Sequence, residues 1–371
     1  MPNERTAGAV LSIDLAAIAA NWRQLAALCG GARRCAAVVK ADAYGLGALQ
    51  VAPALWDAGG RVFFVAHLEE GLTLRRVLPP VATIAVFNGP LAGTEADFTA
   101  HDLIPVLNCP DQIARWSAHA RAHAVHPLPA LVHIDTGMNR LGLTERETRD
   151  LQDRPGSLDG IAVRGLLSHL ACADIPAHPL NETQAKAFAA VRGLFPGLPT
   201  SLANSSGIFL GTRWHGDLVR PGAALYGLNP TPHQPNPMRP VVHLQGRILQ
   251  VRDVDSPKTV GYGATYRVVG KGRIATVAVG YADGFLRALG NRGSGRIGNV
   301  RVPVVGRVSM DLVTFDVSAA PEVQPGDLIE LIGPGHTVDD LAAEAGTIGY
   351  EILTALGRRY CRSYRDFKAE A

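Results

Sequence analysis

Lys40 directly follows the apolar run Cys35–Val39 and precedes Ala-Asp-Ala-Tyr-Gly-Leu-Gly. A lysine at an apolar mouth can lose its proton by desolvation, and the neutral amine can form a Schiff base with a carbonyl. The plainer alternative is a lysine leaving a strand for water, because buried lysines are rare. Other reactive side chains recur at comparable places. Asp135-Thr-Gly-Met-Asn-Arg140 follows the run 130–134, His169 ends the run 163–169, and Arg220 ends 217–220, with Pro221-Gly222 next. Asn204, Ser205 and Ser206 end or follow the run 201–204. Ser205 brings a hydroxyl beside small residues, and Gly222 brings open backbone N–H, a combination that suits a phosphate. Taken singly, these are ordinary loop residues.

The elements that must position these residues repeat one theme from residue 35 to about 220. Eight short runs, 35–39, 62–66, 83–87, 103–107, 130–134, 163–169, 201–204 and 217–220, each end at a polar or glycine-containing turn. Most are continuously apolar, as parallel strands covered on both faces are. Stretches such as 48–58, 110–122 and 182–194 have helical length and period. This alternation predicts an α/β fold, a (β/α)8 TIM-like barrel, whose functional groups gather at the C-terminal strand ends. The segment 229–240 holds five prolines in twelve residues and reads as a linker. Beyond it the stretches 241–254, 273–281, 299–308 and 311–317 alternate as β-strands do, and a helix is expected at 338–346 after Thr337, with Asp340 as an imperfect capping-box partner. The expected division is therefore a barrel over 1–240 and a mostly-β C-terminal domain over 241–371. The strand-like segment 9–15 could join the second domain.

Of 371 residues, 47% are apolar and 19% charged, and the net charge is +3. That charge is weak and scattered, which argues against a nucleic-acid partner. Arg358 and Arg359 read as a solvated helix face. The five cysteines fit neither a zinc site nor a disulfide framework, and no metal is expected. No signal-peptide layout precedes residue 22 and no apolar run reaches membrane length, so a soluble cytoplasmic protein without a membrane partner is expected.

The segment AAVVKADAYGLGA is similar to the pyridoxal-phosphate (PLP) attachment signature of alanine racemases. DTGMNRLG, SHLACAD, ANSSG, VRPGAALYG, VGYGATY, VGYADG and GRVSMD resemble further blocks of that family in the same order, over about residues 11 to 365. The resemblance implies a PLP-binding barrel, fold type III, followed by a β domain. It also implies a cytoplasmic isomerase that interconverts L- and D-alanine and supplies D-alanine for the peptidoglycan of the cell wall. Lys40 would hold PLP as a Schiff base and serve as the base facing D-alanine; Tyr262 would serve L-alanine from the opposite face. Arg220 would face the cofactor's ring nitrogen and, keeping its own proton, leave that nitrogen unprotonated. His169 would assist through an intervening arginine. Tyr44, Ser205, Gly222 and Tyr350 resemble the phosphate contacts, and Arg140 and Met310 the contacts to the substrate carboxylate. Asp174, Tyr281 and Arg307 resemble residues of an entry corridor. Because Tyr262, Tyr281, Arg307 and Met310 fall in the β domain, a homodimer with sites shared between subunits is implied.

Each residue also has a plainer reading. Tyr262 could be an aromatic on a β edge, Met310 a core methionine, and Arg220 a surface arginine paired with Asp217. Two positions depart from the family pattern. Ser309 stands where cysteine is frequent. His133 stands where many members carry a lysine modified to a carbamate that pairs with the arginine matching Arg140. Histidine cannot form that carbamate. Either a small anion such as chloride, or a nearby carboxylate, replaces it, or His133 bonds a neighbour and Arg140 is held by Asp135 or water. Three other functions compete. A PLP-carrier barrel without turnover is opposed by the 241–371 segment, and a decarboxylase on this fold is opposed by Arg220. A racemase for serine or a broader range of amino acids stays open.

Overall fold

The computed structural model describes residues 3–123, 125–154 and 156–365. The first strand, β1 (Ala9–Asp14), leads into the helix Leu15–Leu28. Asp14, the charge that interrupts the N-terminal apolar stretch, is the helix N-cap, its Oδ1 accepting the Ala17 N–H at 2.7 Å.

Seven parallel strands follow in chain order: β2 (Ala37–Val38), β3 (Val62–Val65), β4 (Thr83–Val86), β5 (Leu103–Leu107), β6 (Leu128–His133), β7 (Ile161–Leu167) and β8 (Thr200–Ser201). The eighth expected run, 217–220, closes the ring without a regular ladder. Val219 accepts from Ala36 N and donates to Arg34 O at 3.0 and 2.8 Å, while Arg220 N donates to Ala203 O on the other flank at 3.0 Å. The parallel sheet thus returns to its first strand, as a (β/α)8 barrel does. Phe63, Phe64, Ile84, Val86, Val106, Leu107 and Ala130 are fully or almost fully buried. This explains the unbroken apolar runs: strands faced by packed side chains inside and helices outside have no polar side.

Helices occupy Ala48–Ala58, Pro110–His123 and Pro179–Leu194, close to the periodic stretches. The proline-dense segment is stitched down. The fully buried Asn21 accepts from Arg239 N at 2.8 Å and donates to Leu225 O and Arg239 O.

Past the linker, β9 (Val242–Asp255) organises a sheet of eight strands. β1 lies in this sheet and not in the barrel; it is antiparallel to β9 on one side and parallel to Cys361–Arg365 on the other. The strands Ser294–Ile297, Leu328–Ile332 and Cys361–Arg365, and the helix Gly349–Ala355, were not signalled by the alternation. The expected helix spans Val338–Ala345, and its capping box forms in full: Asp340 N donates to Thr337 Oγ1 and Thr337 N donates to Asp340 Oδ2. One expectation fails here. Arg358 and Arg359 are both exposed but not on a helix face, because the last helix ends at Ala355 and both lie in the turn beyond it. Among the described residues, no helix is long and apolar enough to cross a membrane.

Candidate functional site

Lys40 leaves the end of β2 and enters an unusual turn. Ala41, Asp42, Ala43 and Tyr44 all have φ between 53 and 57°, in the left-handed region. Non-glycine residues resist that region by about 1–2 kcal/mol each. Side chains hold the turn in place: Glu70 accepts the Ala41 N–H at 2.6 Å, and Asp42 Oδ1 accepts Ala48 N at 2.7 Å. Glu70 also accepts from Ala66 N and His67 N, so one carboxylate ties the ends of the first two barrel strands. Nothing in the local pattern around Lys40 signals Glu70.

The strand ends open on a cavity of about 470 Å³. Eight of the thirteen residues expected at the site line it: Lys40, Tyr44, Arg140, His169, Ser205, Arg220, Gly222 and Tyr350. Phe87 joins them, its ring centroid 6.0 Å from Lys40 Nζ. Tyr350 arrives from the C-terminal helix Gly349–Ala355, together with Glu351 and Thr354. The cavity therefore has a barrel wall and a C-terminal-helix wall.

Burial, then the Arg140 charge, pushes the Lys40 amine below its ordinary pKa, against the opposing pull of Glu70. Position alone left Lys40 open to either reading, with a lysine leaving for water the plainer one; the fold leaves it half-buried, which favours the desolvated amine. Burial, then Arg220, holds the His169 imidazole well down, so it is neutral. Arg220 is pushed down by burial to about 10 and is still a cation at neutral pH. It is no surface arginine. It is 3% exposed, donating to Ser201 Oγ and Ser168 O, while Asp217 is occupied by Thr200 N and Oγ1. Behind it, the buried Gln184 bonds His169 O, Ala171 N and Thr136 Oγ1, fixing the backbone that carries His169.

On the late-strand side, Ser205 Oγ accepts from Gly222 N at 3.0 Å and from Ala224 N at 3.2 Å, so the Gly222 N–H expected to be open is taken up by the serine. Ser205 begins the short helix Ser205–Phe209, capped by Asn204. The tyrosines Tyr44 and Tyr350 stand with ring centroids 5.9 Å apart. A Cβ on Gly222 would overlap Tyr44 Oη, so glycine is what lets that hydroxyl come close to this backbone. Arg220 Nε is buried without a protein partner. The hydroxyls of Tyr44 and Ser205 gathered at Gly222, and an orphaned cationic donor on Arg220, fit a phosphorylated ring bound across this mouth.

Five expected residues do not line the cavity. Tyr262 is 73% exposed and Met310 53%, with Tyr281 and Arg307 also at the surface. Met310 is thus not a core residue, and Tyr262 lies on a 3-10 turn, Tyr262–Ala264, instead of a β edge. They form two neighbouring pairs. Arg307 Nη1 would be 3.0 Å from a Cβ on Gly263, and Tyr281 N and Ala282 N donate to Ser309 O and Met310 O, both at 3.0 Å. Asp174 is exposed but near the cavity wall: after burial, its charge is what raises the Tyr350 hydroxyl.

His133 Nδ1 is bonded to Asn108 Oδ1 at 2.8 Å. Asp135 makes no ion pair with Arg140 among the described residues; its Oδ1 accepts the N–H groups of Gly137, Met138 and Asn139. Among the described residues no carboxylate pairs with Arg140.

Fold and site define a barrel-plus-β-domain protein with a half-buried lysine, a buried arginine and a serine–glycine contact gathered at one mouth. Residues 13–230 match the family described as alanine racemase, N-terminal domain, and residues 241–364 match alanine racemase, C-terminal domain. The chain is 54% identical over 366 residues to an alanine racemase of Rhodospirillum rubrum, covering 98% of each chain. It is 49% identical to a catabolic alanine racemase of Mesorhizobium japonicum, covering 98% of this chain and 94% of the relative. Its fold is similar to the crystal structure of the Bartonella henselae alanine racemase with covalently bound pyridoxal phosphate. That likeness has a TM-score of 0.93 and 40% identity, over 97% of this chain and 100% of the other. The chain belongs to the alanine racemase family.

Proposed function

We propose that this protein is an isomerase that interconverts L- and D-alanine, with pyridoxal 5′-phosphate held covalently on Lys40. The observation that carries this reading is one cavity shared by a desolvated lysine and a hydroxyl–glycine cradle. Ser205, Gly222, Tyr44 and Tyr350 would hold the phosphate, and Arg220 would donate to the ring nitrogen without surrendering its proton. When bound, the cofactor supplies the electron-withdrawing ring that acidifies the substrate Cα–H. Once the substrate amine displaces it from the cofactor, Lys40 Nζ would move that proton on one face and Tyr262 Oη of the partner subunit on the other; racemisation needs a base on each side. His169 would assist through an intervening arginine. Arg140, with Met310 of the partner subunit, receives the substrate carboxylate. Asp174, with Tyr281 and Arg307 of the partner subunit, lines the way in.

The exposed residues outside the Lys40 cavity support a homodimer, since a second copy would bring them to the first copy's barrel mouth. The division near residue 240 suits this arrangement, with the barrel carrying the cradle and the β domain the surface offered to the partner. We place the protein in the cytoplasm, supplying D-alanine for peptidoglycan. A deletion strain that grows normally without added D-alanine would count against that supply role.

The deciding experiment is racemisation by the PLP-loaded protein across L-alanine, L-serine and other L-amino acids. Preferred conversion of alanine supports the reading. Equal or faster conversion of serine makes it a broader racemase, and PLP on Lys40 with no conversion makes it a carrier.

A further inference from the structure

Arg359 lies outside the Lys40 cavity, yet all three nitrogens of its guanidinium are bonded to carboxylates. Nε and Nη2 donate to the two oxygens of Asp283 at 2.6 and 2.8 Å, and Nη1 donates to Asp311 at 2.7 Å. Asp283 is buried and its Oδ2 also accepts Gly280 N, closing the turn Tyr281–Asp283. Asp311 follows Met310 in a tight loop that Ser309 closes, its N and Oγ donating to Leu312 O at 2.9 and 2.7 Å. Backbone bonds run from the first turn to the second, Tyr281 N to Ser309 O and Ala282 N to Met310 O. The contact is close enough that a Cβ on Gly280 would lie 2.3 Å from Met310 O. One planar fork thus spans the two loops that carry Tyr281 and Met310. The fork geometry matters, because only arginine can bond one carboxylate through two donors and reach a second carboxylate with a third.

The same segment reaches the other wall. Gly357 N donates to Asp283 O at 2.8 Å, and a Cβ on Gly284 would lie 2.0 Å from Ala355 O, at the end of the helix that carries Tyr350. The backbone contacts join the loops to this helix, whereas the charged contacts of Arg359 go to the loops alone.

We propose that Arg359 is a positioning residue for Tyr281 and Met310, acting on the active site of the partner subunit and not on the site of its own barrel. This rests on the shared-site reading given above. Without the fork, Asp283 keeps its carboxylate buried without a counter-charge and Asp311 loses its tether. The Met310 loop then drifts relative to Tyr281, and misplacement of about 1 Å can cost roughly 100-fold in rate.

Hybrid dimers test the assignment. Pairing a Lys40→Ala subunit with a Tyr262→Phe subunit leaves one intact site, made of the second subunit's barrel and the first subunit's β domain. Arg359→Leu placed in the Lys40→Ala subunit is expected to lower kcat/KM roughly 10- to 100-fold, with a rise in the KM for alanine. Placed in the Tyr262→Phe subunit, it should leave the rate within about two-fold. Arg359→Lys should recover part of the loss, and Asp311→Asn, an exposed change, should reproduce part of it in the same placement only. Equal losses in both placements, or none in either, would overturn the proposal while the parent hybrid stays active. A parent hybrid that assembles but is inactive would overturn the shared-site reading and this proposal with it.

Discussion

Nδ1 of His133 lies 2.8 Å from Oδ1 of Asn108, whose own Nδ2 donates to Phe87 O and Val106 O. The amide therefore accepts, and His133 is held as the neutral Nδ1–H tautomer. Burial first, then the Arg220 charge, pushes its pKa down from 6.5 to about 4, with Asp135 opposing and Arg140 adding to the effect. A depressed folded pKa means that the unfolded chain binds more protons between about 4 and 6.5. The stability present above pH 6.5 should thus fall as the pH drops through that window. Thermal midpoints taken from pH 7 to 4 should show a shallower decline in His133→Asn than in the parent.

Arg140 stands in the cavity with no carboxylate partner among the described residues, and neutral His133 cannot supply the missing charge. Arg140 is exposed at the cavity rim, so burial does not demand a counter-charge, but an unpaired guanidinium fork there still offers a small anion charge-assisted hydrogen bonds. Activity or thermal midpoint should rise with chloride, compared with a bulky anion at the same ionic strength. A flat response, together with a carboxylate bonded to Arg140 in a crystal structure, would contradict this.

Lys40→Ala should remove both the visible absorbance of lysine-bound cofactor and racemisation, the latter by at least about 10³-fold. A variant that still fixes PLP covalently on borohydride treatment would move the attachment to another lysine.

Tyr262→Phe should lower racemisation roughly 10²- to 10⁴-fold with PLP still bound. At 73% exposure the ring supports no core, so the fold should be unaffected. Equilibrium ties the two directions' kcat/KM together, so the asymmetry belongs in solvent-isotope exchange: L-alanine should lose exchange more than D-alanine. Equal losses would count against a face-specific base.

Gly222→Ala should weaken PLP binding, because the new methyl would sit 2.2 Å from Tyr44 Oη in the cradle. Overpacking of this kind costs about 1–3 kcal/mol, roughly tenfold or more in affinity. A titration of apoprotein with PLP measures it, and an unchanged affinity would remove Gly222 from the phosphate site.

The barrel was legible in the sequence because parallel strands covered on both faces must be apolar throughout, and each run had to end where polar groups can meet solvent. That constraint alone put Lys40, Arg140, His169, Ser205, Arg220 and Gly222 on one rim. The motifs tied them to a family. What no local pattern carried is the set of long-range side-chain contacts. Glu70 grips the backbone after Lys40, Gln184 grips the backbone of His169, and the turn residue Arg359 finds Asp283 and Asp311. Tyr350 reaches the cavity only because a C-terminal helix docks on the barrel mouth. Likewise, the family blocks named Tyr262 and Met310, but only the folded chain leaves both outside the Lys40 cavity and exposed. Periodicity records which face of one element is buried, a local property. Which distant backbone N–H a carboxylate satisfies, and which surface stays uncovered, is settled only when the loops close and every buried polar group must find its partner.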